Sequence, residues 1–432
     1  VARAARQRRA QAHPRAARRD TRYRARVRPR LRAAHGSLLM GDFELWWLLP
    51  IPALFFAMGW IAARIDIKHL LRESRALPLS YFRGLNFLLN EQPDKAIESF
   101  IEVVKVDPQT IDLHFALGSL FRRQGETERA IRMHQNLLDR PTLPADKRTM
   151  ATYELAQDFH RAGLLDRAEA LFRKLDDTPF EHSALSHLIS IYETEKDWPK
   201  AIAATQRMEV LAKQPYYKEI AQYHCELAQA ALLRSDTSAA KAEIEHALAA
   251  HRGCARAMLI QGDLAAQNSD WLAAVEAWQR IESQNPAFLA LAADRFADAY
   301  RRLSDLPTGI RRLRNYQTQY PSLDLLNALF TLVLEHEGPI AAATLIKDEL
   351  ARNPTLIGLD RLLEAQLLTS PPDRRHDLEL VKGLVSQHIK RLGLYKCDNC
   401  GFRARQYYWR CPGCQKWETY SPKRTEMPDG YT

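Results

Sequence analysis

The chain has 432 residues, 46% of them hydrophobic and 26% charged. Those values allow roughly two to four domains and exclude wholesale disorder, collagen and a multi-span membrane protein. The formal net charge is +10, but residues 1–39 hold 13 Arg, no Lys and one acid, Asp20, a net of +12. Residues 40–432 are therefore close to neutral at −2, and the basic balance belongs to the first 39 residues.

That first stretch reads Ala, Arg and Pro with no periodic apolar face, which predicts a disordered extension. Its bias is what a GC-rich upstream stretch yields on translation, and Met40 opens a different composition. The expectation is that the working protein starts at Met40.

From Leu45 to Ala63 the sequence LWWLLPIPALFFAMGWIAA runs 19 residues without a charge. At about 1.5 Å per residue it spans roughly 28 Å, enough for a hydrocarbon core of ~30 Å. Trp46, Trp47 and Trp60 sit near its ends, where indole rings favour the interface. Residues 40–63 are thus a predicted transmembrane helix. The C-terminal flank carries Arg64, Lys68, Arg72 and Arg75, while the flank from Met40 carries Asp42 and Glu44. The positive-inside rule then places everything downstream in the cytoplasm. Residues 64–77 read as a short amphipathic juxtamembrane segment.

Residues 78–391 show no clear strand signal and a period near 34. A small residue recurs at Ala96, Ala130, Ala168, Ala201, Ala240, Ala274, Gly309 and Ala342, with spacings of 34, 38, 33, 39, 34, 35 and 33. Gly84 and Phe100 in the first unit return as Gly118 in the second and as Gly262 and Trp278 in the sixth. The pattern resembles the tetratricopeptide repeat, a helix–turn–helix unit that buries its apolar face only by stacking on neighbours. The fold class expected is all-α, a superhelix of about eight or nine helix pairs. The third to fifth units are the loosest.

Catalytic motifs are absent from this stretch of sequence: it has neither a phosphate-cradling glycine loop nor H-E-x-x-H. His182 and His187, five apart, do not share a helix face well. His134 stands where an aromatic packs in other units and reads as structural. Cys225 and Cys254 read as small buried hydrophobes. The expectation is a binding protein and not an enzyme.

Near the C-terminus, Cys397, Cys400, Cys411 and Cys414 form C-x2-C-x10-C-x2-C. Each hairpin offers two thiolates, and two hairpins complete a tetrahedral all-sulfur site. Gly401 and Gly413 are expected to permit the tight turns. A closed site of this kind is structural, holding one ion of iron, as in rubredoxin, or of zinc, as in zinc ribbons. Gln415 replaces the glycine usual in the second knuckle. The module is expected over 392–422, with 423–432 as a tail. Phe402, Tyr407, Tyr408, Trp409, Trp417 and Tyr420 surround the knuckles, interleaved with Arg403, Arg405, Arg410 and Lys416. Such a set can stack on RNA, or supply a small core and dock it on a neighbour.

The order of a single span with a Trp-Trp pair, 34-residue units and a Tyr395-Lys396-Cys397…Trp409…Cys411-Pro412 ending resembles the lipopolysaccharide assembly protein B family. The resemblance runs from residue 40 to about 420. It implies a single-pass protein of the inner membrane of Gram-negative bacteria. It implies work with the membrane protease FtsH to degrade LpxC, the deacetylase that commits carbon to lipid A, and contact with other lipopolysaccharide assembly and regulatory membrane proteins. The family's metal ligands carry over to Cys397, Cys400, Cys411 and Cys414, whereas no partner-binding residue can be carried over. A non-proteolytic assembly platform and an RNA-binding regulator are the alternative readings.

Overall fold

In the computed structural model the described residues are 52–61, 79–106, 110–389, 395–424 and 426. The Arg-rich extension, residues 45–51 and 62–63 of the apolar stretch and segment 64–77 lie outside them. Within the apolar stretch, residues 52–61 form helix α1. Its Leu54, Phe55, Phe56, Met58 and Ile61 are exposed. Among the described residues no helix is long and apolar enough to cross a membrane.

The second compact unit, from Pro78 onward, is built of helix pairs. The first three are α2 (Leu79–Leu89) with α3 (Pro93–Val106), α4 (Ile111–Arg123) with α5 (Thr127–Leu138), and α6 (Ala145–Arg161) with α7 (Leu165–Phe172). Next come α8 (Glu181–Glu195) with α9 (Trp198–Ala212), α10 (Tyr217–Leu233) with α11 (Thr237–Ala250), and α12 (Ala255–Gln267) with α13 (Trp271–Gln284). The last are α14 (Leu289–Arg302) with α15 (Leu306–Gln319), α16 (Leu323–His336) with α17 (Pro339–Arg352), and α18 (Leu356–Thr369) with α19 (Pro372–Ile389). This is an all-helical tetratricopeptide array, and the pair beyond residue 356 closes it.

One turn recurs between the two helices of a pair. In the fourth to seventh pairs a residue with φ near +60° (Lys196, Ser235, Ser269 and Ser304) ends the first helix. The Asp that follows caps the second helix. Asp197, Asp236, Asp270 and Asp305 accept from the backbone N–H three residues on, at 3.3, 2.9, 3.1 and 3.3 Å. Gly125, Gly163 and Gly338 take the left-handed position in the second, third and eighth pairs. A side-chain cap of this kind contributes about 1 kcal/mol, so each of these four second helices carries its own start signal.

The recurring small residues explain how the pairs pack. Ala96, Ala130, Ala168, Ala201, Ala240, Ala274 and Ala342 are all fully buried, each near the start of a second helix. The glycines do the converse on the first helix. A Cβ on Gly84, Gly118 or Gly262 would strike the ring of Phe100, His134 or Trp278 respectively. His134 thus occupies the aromatic position of its unit, as its place in the repeat predicts. It is fully buried, and its Nδ1 lies 2.5 Å from Asp158 Oδ2. Arg122 joins the same network, 2.7 Å from Asp158 and 2.6 Å from Glu154, and so ties α4 to α6.

The loose spacings have a simple cause. Helices α6 and α10 each run 17 residues, against 13 in α4 and α12. The longer first helices stretch the alanine spacing to 38 and 39 without changing the architecture.

Candidate metal centre

The knuckles are built on a minimal sheet. Strand β1 (Tyr395–Lys396) pairs antiparallel with β2 (Arg403–Ala404), with Tyr395 opposite Ala404 and Lys396 opposite Arg403. Both knuckles close the same way. Gly401 N–H donates to Cys397 O at 2.9 Å, and Gln415 N–H donates to Cys411 O at 2.8 Å. Cys397 N–H and Cys411 N–H then bond Phe402 O and Lys416 O, each at 2.9 Å. The left-handed position falls on Gly401 (φ 75°) in the first knuckle and on Gln415 (φ 61°) in the second. Gly413 therefore does not serve the turn as expected. It allows close approach, since a Cβ there would lie 3.2 Å from Phe402 Cβ and 3.3 Å from Cys400 Sγ.

The turns bring the four predicted sulfurs together, all within 4.8 Å of one another. Cys397 and Cys414 are 3.8 Å apart, and Cys400 and Cys411 are 3.6 Å apart. Four sulfurs placed tetrahedrally at a zinc–sulfur distance of ~2.3 Å are separated by about 3.8 Å. All four cysteines are free thiols in the structure. Cys414 N–H also faces Cys411 Sγ at 3.5 Å. Burial raises the Cys397 thiol, but hydrogen bonds from Thr419 and from backbone N–H groups outweigh it and bring the thiol to about 6. At Cys400 the Phe402 N–H works downward, yet desolvation and three neighbouring sulfurs push it up to about 12. Thiolates so close repel one another, and a bound cation removes that conflict. The geometry fits one metal ion in a closed all-sulfur site.

The module's own core is small: Tyr395, Cys397, Cys411 and Tyr420. Most of its aromatic surface is turned onto the helical array. Trp417 packs edge-on to Trp198 (centroids 6.1 Å) and Tyr223 (5.9 Å). Trp409 stacks on Phe288 at 5.4 Å. Glu193, at the end of α8, accepts from Trp417 Nε1 (2.8 Å), Arg410 Nη2 (2.8 Å) and Tyr223 OH (2.8 Å). Gln222 donates to Glu418 at 2.6 Å, and the buried Arg256 lies 5.8 Å from the Trp409 ring and 6.0 Å from that of Trp417. Arg424 pairs with Asp324 at 3.1 Å. Burial lifts the Asp324 carboxyl to about 6 although Arg424 opposes it. Glu426 accepts from Leu356 N–H (2.7 Å) and Ile357 N–H (2.8 Å) and so caps α18. Apart from Trp198 at the start of α9, these contacts fall on α8, α10, α12, α16 and α18, first helices of their pairs, and on Phe288 just before α14. The module therefore lies along the face those helices share.

The aromatics of the knuckles thus serve packing and docking, except that Phe402 remains exposed. Arg410, one of the interleaved cations, is spent on Glu193. His182 and His187 do not form a site: His187 stacks on Phe172 at 4.9 Å, and burial lowers it to about 4. Cys225 and Cys254 are fully buried, as read from the sequence, but they also meet across two units with sulfurs 3.7 Å apart. The docking residues Glu193, Gln222, Asp324 and Glu426 were missed. Arg256, a charge inside the apolar run Ala255–Ile260, was the one visible signal.

Residues 395–422 match the family profile described as "Rubredoxin metal binding domain". Residues 113–148 and 225–287 match tetratricopeptide-repeat profiles. The chain is 32% identical to "Lipopolysaccharide assembly protein B" of Escherichia coli K12, over 88% of this chain and 98% of that protein. It is 30% identical to the protein of the same name from Haemophilus influenzae, over 88% and 97%. A solved tetratricopeptide repeat protein from Parabacteroides merdae is 14% identical over 66% of this chain and 97% of that one, with a TM-score of 0.23.

Proposed function

Because the chain belongs to the lipopolysaccharide assembly protein B family, we propose that it is a membrane-tethered, non-catalytic adaptor that restrains lipopolysaccharide synthesis. In this reading it brings the deacetylase LpxC to the membrane protease FtsH. Residues 45–63 span the inner membrane, and Arg64, Lys68, Arg72 and Arg75 hold the repeats on the cytoplasmic side. Tethering raises the local concentration of a bound client near a membrane protease, with no new contact required.

The observation that carries the reading is the docked module. Cys397, Cys400, Cys411 and Cys414 hold one structural ion, iron or zinc. That ion cross-links two hairpins that have almost no core of their own. Trp417, Arg410 and Glu426 then fasten the later pairs to one another through the module. Among the described residues these module contacts fall on the fourth to ninth pairs, and the face of the first three is where a client would sit. Exposed Leu85 and Leu89 on α2 support a contact surface at that end.

Crosslinking the membrane-embedded protein in cells, followed by purification, tests this. FtsH together with LpxC or another lipopolysaccharide enzyme is the expected catch. Recovery of neither overturns the adaptor reading.

A further inference from the structure

We propose that His224, Glu243 and His246 form a second metal site, an open and exchangeable one for a divalent transition-metal ion such as zinc or cobalt. His224 lies on α10, and Glu243 and His246 lie on its partner α11. Glu243 and His246 are three residues apart, which puts them on one face of the helix. Their candidate ligand atoms all fall within 4.8 Å of one another. Glu243 Oε2 is 2.7 Å from His224 Nδ1 and 3.8 Å from His246 Nδ1. The two imidazole centroids are 5.3 Å apart. Nitrogen and oxygen ligands placed tetrahedrally at ~2.0–2.1 Å from zinc are about 3.4 Å apart, so the observed separations bracket the required one.

The ligand types select the ion. Two imidazoles with one carboxylate suit zinc, cobalt or nickel, whereas calcium and magnesium want oxygen. A hydrogen bond between His224 and Glu243 accounts for two of the three side chains, while His246, 3.8 Å from the same carboxylate, is too far to share it by a hydrogen bond. The His246 side chain is 60% exposed while those of His224 and Glu243 are 16% and 26% exposed, so the fourth position faces solvent. An ion there exchanges, unlike one enclosed by four thiolates. His224 directly follows Gln222 and Tyr223, which hold the docked module. Metal binding therefore pins α10 to α11 beside that interface. The site is independent of the adaptor reading.

Cobalt(II) titration of the full chain in detergent separates the two sites, because thiolate ligation gives sulfur-to-cobalt charge-transfer absorption and His/Glu ligation does not. The expected result is uptake of a second ion, by d–d absorption, after the thiolate band has saturated. H246A and E243A should each lose that second uptake and keep the thiolate band. Removing a ligand should weaken binding by more than the roughly 10- to 100-fold typical of outer-shell changes. Once the four-thiolate site is loaded, further zinc should also raise the unfolding temperature of the wild type and not that of H246A. Saturation at one ion overturns the proposal, as does a second uptake or a thermal shift that both variants retain.

Discussion

Glu193→Ala removes the one side chain that gathers Trp417, Arg410 and Tyr223. The Arg410 and Glu193 side chains are 20% and 12% exposed, so their ion pair is partly screened. Breaking a fully buried pair costs ~3–5 kcal/mol. Discounted for the remaining solvent, about 2 kcal/mol is reasonable here. The bonds from the Trp417 indole and the Tyr223 hydroxyl add about 1 kcal/mol each. The sum is about 4 kcal/mol against docking, close to a thousandfold in the population of the released module. Urea unfolding followed by tryptophan emission can read it, on Glu193→Ala, Arg410→Ala and the double variant. The two single costs should fail to add, with a coupling of about 2 kcal/mol, because the second substitution finds its partner already gone. A loss below about 1 kcal/mol for Glu193→Ala, or strictly additive costs, would refute the docking argument.

Three further outcomes follow from the same contacts. Cys411→Ser, or chelation of the metal, should abolish hydrogen-exchange protection over residues 395–424 while the central helices α12–α17 keep theirs, as judged by mass spectrometry. Gly262→Ala should destabilise the array by about 1–3 kcal/mol in thermal unfolding, since the new methyl meets the buried Trp278 ring. His187 is held near 4 by burial, so the unfolded chain binds more protons than the folded one between about pH 6.5 and 4. Stability should therefore fall with pH through that window. His187→Phe, which preserves the stack on Phe172, should recover about 2 kcal/mol at pH 4 after allowance for solvent screening.

The repeat array was legible because its signals are local. Alanines and glycines recur wherever two backbones approach, and four cysteines with fixed spacing define a knuckle pair whatever surrounds them. The 17-residue α6 and α10 blurred the period, because a helix can gain a turn on its solvent end at no cost to the packed end. That the module could dock was legible in its surplus aromatics, but where it docks was not. Trp417 meets Glu193 across 224 residues of chain and Glu418 meets Gln222 across 196. No periodicity within the array encodes a partner that far away. The same holds for Cys225 and Cys254, whose helical setting gave burial but not their meeting. Gly413 misled because a glycine in a knuckle suggests a left-handed turn, while Gln415 took that conformation and Gly413 supplied clearance.

The central claim is that a metal-held module completes an adaptor for proteolysis. Its most direct test is the lifetime of LpxC in cells carrying C397S/C400S, with the abundance of the variant checked alongside. If the account is right, LpxC persists several-fold longer although the variant is present in the membrane. An unchanged LpxC lifetime with intact variant protein would contradict it.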